Sequence, residues 1–182
     1  MMNEAKKALR SIIKAKTDEF PQSYIDESNK IIQEKFLSSE AYAKARRIFA
    51  YYSVGREVDT HGIIGQALAD GKIVALPVSL ARSKMIFREI KDLDHMKAGI
   101  YGIPEPDFSC AHIECQPGDL LIVPAMSCDA EGNRLGRGAG YYDRFLDSHD
   151  CVSVCLIRSK LMNNDIPVNE NDRKVQIVIS EN

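Results

Sequence analysis

A chain of 182 residues that is 45% hydrophobic and 27% charged has room for one substantial core, so it is read as a single domain, 1–182, and not as a disordered polypeptide. Its net charge of −2 and isoelectric point near 6.1 supply no general basic field for nucleic acid or an anionic membrane. An anionic ligand has to be met by a local cluster of cations.

Ala5, Ala8, Leu9, Ile12 and Ile13 recur at helical spacing, and Ile25, Ile31, Ile32, Phe36 and Leu37 repeat the pattern after Pro21, so two amphipathic helices open the chain. The basic start lacks the apolar run of a signal peptide, and no stretch approaches the roughly 18 apolar residues of a spanning helix. IFAYYSV, 48–54, is β-branched and aromatic and reads as a buried strand. Asp59 or Thr60 can cap a following helix that carries Ile63, Ile64, Ala67 and Leu68 and stops at Gly71. KIVALPVS, 72–79, is the next strand and completes the βαβ unit of a parallel sheet. KMIFREI, 84–90, reads as a strand, LDHMKAG, 93–99, as a short helical turn, and YGIPEPDFS, 101–109, as a proline-punctuated loop. DLLIVPAM, 119–126, is the clearest buried strand. A glycine-rich loop over 129–140 leads into the helix YYDRFLDSH, with Tyr142, Phe145 and Leu146 on one side. CVSVCLI and VQIVIS are closing strands, separated by the polar loop NNDIPVNENDRK. The expected architecture is an α/β layered sandwich with a mostly parallel central sheet flanked by helices. Ligands of such sheets gather at the carboxyl ends of the strands, which puts the loops after Tyr52, Pro124 and Ile157 on one rim.

The chemistry-bearing residues cluster in those loops. Gly136, Gly138 and Gly140 alternate with Arg137 and Ala139, and Arg134 stands just before them. Such spacing lets backbone amides face one point beside a helix amino terminus, with guanidinium groups at hand, which outlines a phosphate nest. It is neither a Walker A loop nor a dinucleotide fingerprint, and a solvated surface turn is the competing reading. Asp143 in the first helical turn is either a magnesium ligand beside phosphates or a partner of the helix dipole. Asp129 precedes the loop, and Asp172 in the NEND loop could add a second carboxylate. Cys110, His112 and Cys115 have the look of half a zinc site without a second half. Cys128, Cys151 and Cys155 bring the cysteines to an odd count with no C-x-x-C pair, so reduced, buried thiols in a cytoplasmic protein are expected. His61, His95, His112 and His149 form no Ser-His-Asp or Cys-His pattern in the sequence.

RLGRGAGYYDRFL, with the upstream DLLIVPAMSCDAEGN, closely resembles the 5-formyltetrahydrofolate cyclo-ligases, also called methenyltetrahydrofolate synthetases. The resemblance extends over KKALR near the start, YYSVGREVDT, MIFREI, YGIPEP and the final PVNENDRKVQIVIS; Ala139 departs from it, where many members carry glycine or lysine. It implies closure of the formyl group of 5-formyltetrahydrofolate onto nitrogen 10, with ATP as co-substrate, Mg²⁺ as cofactor, and an iminium phosphate intermediate.

Lys6, Lys7 and Arg10, which otherwise read as a solvated helix face, would by this resemblance contact ATP, together with Arg134, Leu135, Gly136, Arg137, Gly138, Ala139, Gly140, Tyr141 and Tyr142. Lys6 and Arg137 would be catalytic. Tyr52, Glu57 and Tyr142 would meet the folate, and Asp143 and Asp172 would hold the metal. The implied partners are small molecules, not nucleic acid or membrane, for a monomer or small homo-oligomer. The α/β pattern by itself also fits a sugar-phosphate isomerase, an acyl-CoA transferase relative or a non-catalytic nucleotide- or folate-binding module. The arginine-glycine loop with two distant aspartates suits ATP and magnesium better than a sugar phosphate.

Overall fold

The computed structural model describes residues 2–81, 84–94 and 96–182. Along them run α1 (Met2–Asp18), α2 (Gln22–Leu37), α3 (Glu40–Lys44), β1 (Arg47–Phe49), α4 (His61–Ala69), β2 (Ile73–Leu80), β3 (Lys84–Ile90), β4 (Met96–Ala98) and β5 (Pro104–Pro106). There follow β6 (His112–Ile113), β7 (Leu120–Val123), β8 (Ser127–Cys128), β9 (Arg134–Leu135), α5 (Tyr141–Ser148), β10 (Val152–Leu156), a 3-10 turn at Ser159–Leu161, and β11 (Ile177–Ile179).

Seven strands form one sheet in the order β11-β10-β7-β1-β2-β3-β6. The first five are parallel to one another, and β3 and β6 add an antiparallel margin, so the expected mostly parallel sheet is present. The strand that reads as most apolar, β7, is buried at all four positions because both of its faces are covered. Its side chains alternate between two cores. Leu121 and Val123 join Phe49, Ala75 and Cys155 with Ile13 of α1 and Phe145 of α5. Leu120 and Ile122 join Ile48, Val74 and Val154 with Ile32 and Phe36 of α2 and Ile63, Ile64 and Ala67 of α4. Helices thus cover both faces, as a layered sandwich requires. Cys115, Cys128, Cys151 and Cys155 are buried, unpaired thiols. No helix among the described residues is long and apolar enough to cross a membrane.

Several local expectations need correction. The stretch expected as a helical turn contains β4, and β5 lies inside the expected proline loop; the two pair antiparallel, Met96 opposite Pro106 and Ala98 opposite Pro104. A two-stranded ribbon is all edge, where missing proline amides do little harm. His95 lies outside the described residues. The strand expected over 48–54 ends at Phe49, and α3, five residues capped by the Ser39 hydroxyl, is too short to show a period. Thr60 is the N-cap of α4, but its hydroxyl donates to the Tyr51 carbonyl at 2.7 Å rather than capping the helix. On α1 only part of the apolar stripe faces inward, since Ile12 is 62% exposed. Lys6 and Ile13 are buried instead, with Leu9 and Arg10 half-buried.

The glycine loop is also more ordered than its composition suggests. Its first half is a hairpin, β8 against β9, and Asp129 organises the turn. One Asp129 oxygen accepts the Glu131 and Asn133 amides at 3.0 and 2.8 Å and the other accepts the Asn133 side chain at 2.6 Å. Asp129 therefore holds the turn together. Gly132 completes it with φ +85°, and a Cβ there would stand 2.0 Å from the Val175 carbonyl oxygen. Gly132→Ala is expected to destabilise the fold by on the order of 2–4 kcal/mol through combined backbone strain and overpacking. Thermal unfolding should show a melting temperature lower by roughly 5–15 °C for a chain of this length; an unchanged value would mean that the hairpin and the Val175 segment can separate freely.

Candidate active site

The loops after β1, β7 and β10 share a rim, and a cavity of about 430 Å³ opens between them. The segment 54–58, Ala125 and Met126, and Ile157, Arg158 and Leu161 line it, with Ile13 and Thr17 of α1 and Arg137 completing the wall. A concavity of this size accommodates a small organic ligand.

Charged side chains from distant parts of the chain meet near the glycine loop, and one pair, Arg137 with Glu57, lies at the cavity. Lys6 donates to both oxygens of Asp172, at 2.6 and 2.5 Å, and Asp172 also accepts the Asn169 amide at 2.6 Å. One turn along α1, Arg10 donates from Nε to the Gly136 carbonyl at 2.8 Å. Arg134 donates from Nη2 to Asp143 Oδ1 at 2.8 Å, an oxygen that also accepts the Arg173 amide at 3.1 Å. Because Arg173 directly follows Asp172, the Asp143 carboxylate is tied to the backbone next to Asp172. Arg137 donates to Glu57 Oε1 at 2.6 Å, while Glu57 Oε2 accepts the Val54 amide at 2.9 Å.

The loop backbone accounts for the glycines. Gly138 and Gly140 have φ of +107° and +68°, a region that favours glycine. A Cβ on Gly138 would also come within 3.3 Å of the Arg10 guanidinium carbon. Arg134 Nε is, among the described residues, a buried donor without a partner, an arrangement that calls for an acceptor from a ligand or water. Tyr142 lies close enough to both ends of the cluster to feel them. Burial first, and the Glu57 carboxylate second, hold its hydroxyl well above the usual tyrosine pKa, with Arg134 opposing.

Other sequence-predicted residues stay outside the cluster. Lys7 is exposed. Leu135 is buried in the core, and its carbonyl is taken by the Met126 amide at 2.8 Å. The Ala139 carbonyl accepts from Arg144. Tyr141 turns toward the β4–β5 ribbon, its hydroxyl 3.3 Å from the Tyr101 hydroxyl and from the Leu80 carbonyl. Tyr52 packs edge-on against His61, ring centroids 4.4 Å apart, and lines neither cavity.

A second cavity, of about 280 Å³, shares Gly55 and Glu57 with the first and includes Ser53, Asp59 and His61. These three form a clamp and not a relay. Asp59 Oδ1 at 2.7 Å and Ser53 Oγ at 3.2 Å both reach His61 Nδ1, whereas a relay needs them on opposite ring nitrogens. Burial raises the Asp59 pKa, but the bonds from His61 outweigh it and leave the carboxyl below its ordinary range. His149 is equally structural, stacked on Phe145 at 4.0 Å.

The family model described as "5-formyltetrahydrofolate cyclo-ligase family" matches residues 2–181. The chain belongs to that family. It is 27% identical to a probable 5-formyltetrahydrofolate cyclo-ligase of Caenorhabditis elegans, over 99% of this chain and 94% of the relative. It is 28% identical to the 5-formyltetrahydrofolate cyclo-ligase of Mus musculus, over 99% and 95%. As a member of this cyclo-ligase family the chain is a ligase. Among solved structures, the fold is shared with a 5,10-methenyltetrahydrofolate synthetase of Aquifex aeolicus, at TM-score 0.84 and 24% identity over 97% of this chain and 89% of that one. A second, from Mycoplasma pneumoniae, superposes at TM-score 0.76 with 18% identity, over 97% and 99%. The cyclo-ligase motifs drew attention to the glycine loop and the NEND turn but not to Arg158, Ser28 and Asn29, which support the cavity from beneath. A lone arginine after an apolar strand reads as a strand end, and only its burial marks it out.

Proposed function

We propose that the whole of 1–182 acts as one catalytic domain that uses ATP and Mg²⁺ to convert 5-formyltetrahydrofolate into 5,10-methenyltetrahydrofolate, ADP and phosphate. The observation that carries this reading is the gathering of Lys6 and Arg10 of α1 with Arg134 around the glycine loop, while Arg137 of the same loop lines a cavity that also holds Glu57. In a chain with net charge −2 these cations, three of them paired with carboxylates, make the local cluster that an anionic ligand requires.

A formamide oxygen is a poor leaving group. In the proposed reaction it attacks the γ-phosphorus of ATP, the bond to the bridging oxygen breaks, and ADP leaves. Nitrogen 10 then attacks the activated formyl carbon, the carbon–oxygen pair departs with phosphate, and the nitrogen 10 proton is lost to solvent. Phosphoryl transfer of this kind depends on in-line positioning and charge neutralisation more than on a protein nucleophile. Lys6, Arg10, Arg134 and Arg137 provide the charge, backbone amides around Gly138 and Gly140 provide donors, and the unpartnered Arg134 Nε suits a phosphate oxygen. Glu57 and Tyr142 would orient the folate ring. Arg137 bonds to Glu57, so the residues assigned to the two substrates are in direct contact.

Asp143 and Asp172 would hold the metal. The described residues contain no group of three or more histidine, cysteine or acidic side chains that could hold a metal ion, and the Asp143 carboxylate accepts the amide of the residue after Asp172; one or two carboxylates suit an ion that fills its shell with phosphate oxygens and water. When bound, Mg²⁺ neutralises phosphate charge.

The test is an ATP-dependent rise in the absorbance of the methenyl product on adding 5-formyltetrahydrofolate. Binding of both ligands without that rise would establish the non-catalytic alternative. Glu57→Gln is expected to raise the folate KM about tenfold while kcat and the ATP KM stay within about threefold, the scale of one charge-assisted hydrogen bond. Steady-state kinetics with each substrate varied in turn checks this, and a rise in the ATP KM alone would contradict the folate role.

A further inference from the structure

Arg158, two residues beyond β10, is only 1% exposed. Among the described residues none of its hydrogen-bond partners is a carboxylate. Nε donates to Ser28 Oγ at 2.9 Å and Nη1 to the Arg56 carbonyl at 2.9 Å. Nη2 donates to Asn29 Oδ1 at 2.6 Å and to the Glu57 carbonyl at 3.2 Å. Burial lowers its pKa from the ordinary arginine value, with Glu181 and two tyrosines opposing through space. A cation taken out of water with neutral hydrogen-bond partners is costly, so its bonds must hold something of consequence.

They hold the segment that carries Glu57. The carbonyls of Arg56 and Glu57 point at the guanidinium fork, and the next carbonyl, of Val58, accepts the Tyr51 hydroxyl at 2.9 Å. Three successive peptide units are therefore tied from the inside. On the outside Gly55 turns the chain with φ +62°, and Glu57 Oε2 closes back on the Val54 amide. Between these two restraints the Glu57 carboxylate is presented to Arg137 at the cavity that Arg158 itself lines.

We propose that Arg158 is a positioning residue: its planar guanidinium, anchored on α2 through Ser28 and Asn29, sets the backbone of Glu57 and through it the folate end of the site. This rests on the folate reading of Glu57 given above. Arginine is required because one flat group must reach four acceptors in fixed directions, whereas lysine offers a single ammonium on a flexible stem.

Arg158→Lys keeps the charge and removes the fork. The folate KM is expected to rise about tenfold, with the ATP KM within about twofold and kcat within about threefold. In a Glu57→Gln background the same substitution should add less than about twofold, since a residue acting through Glu57 then has little left to disturb. An equal rise in both backgrounds overturns the proposal. So does a lower melting temperature with an unchanged folate KM, the signature of a purely structural ion. Should Arg158→Lys fail to fold, Asn29→Ala withdraws one anchor of the fork. It is expected to raise the folate KM about threefold with the same dependence on Glu57, and an unchanged KM overturns the proposal. A wild-type enzyme that does not turn over 5-formyltetrahydrofolate removes the folate reading itself, whereas wild-type turnover with an insensitive Arg158→Lys refutes only the role of Arg158.

Discussion

Lys6→Met is expected to lower kcat by about a thousandfold or more while the fold survives. Lys6 is 7% exposed and its ammonium sits against both oxygens of Asp172, in a place where bulk water does little to screen it. A unit charge about 4 Å from a developing phosphoryl charge contributes on the order of 4 kcal/mol at an effective dielectric constant of about 20, which corresponds to roughly three decades in rate. Methionine preserves most of the stem and its packing, so the loss falls on the charge. The removal leaves Asp172 with the Asn169 amide as a remaining partner, and Asp172 is partly exposed, which limits the damage to stability. Turnover of the purified variant at saturating ATP and Mg²⁺, beside its melting curve, decides the matter. A kcat within tenfold of wild type at a raised ATP KM would mean that Lys6 binds nucleotide equally in ground and transition states and is not catalytic.

Arg137→Ala comes next, with an expected loss of about a hundredfold or more in ATP-dependent turnover. Its side chain is 58% exposed, so truncation opens no cavity and the melting temperature should hold. The contact with Glu57 adds a second signature: with its cationic partner gone, Glu57 loses one of two restraints, and the folate KM should move as well. Arg137→Lys separates the effects, because it restores a point charge without the fork, and partial rescue of kcat is expected. Wild-type turnover in Arg137→Ala would sink the assignment of the glycine loop to the nucleotide.

Much of this layout is legible in the chain before folding. The strand expected over 119–126 announces itself through the apolar run that follows Asp119, and β7 is indeed buried at all four positions. The βαβ unit around Ile63, Ile64 and Ala67 follows from period and punctuation, both local properties. The β4–β5 ribbon is not legible, because two prolines signal a loop and their penalty disappears only where the strand lies at an edge. Tyr52 packs against His61, a contact the sequence does not reveal, since the strand expected over 48–54 ends at Phe49 and alternation no longer decides which way each side chain points.

Residue types and their order along the chain are enough to set the α/β class, the parallel sheet and the glycine-arginine loop, because hydrophobic period and backbone freedom act over a few residues. Partnership is another matter. That Lys6 meets Asp172 across 166 positions, that Asp143 accepts the amide of the residue after Asp172, and that Arg158 lies buried beneath Glu57 depends on where the layers bring distant segments together. The energy of a charge depends on its neighbours and its solvent, and neither exists until the chain has folded.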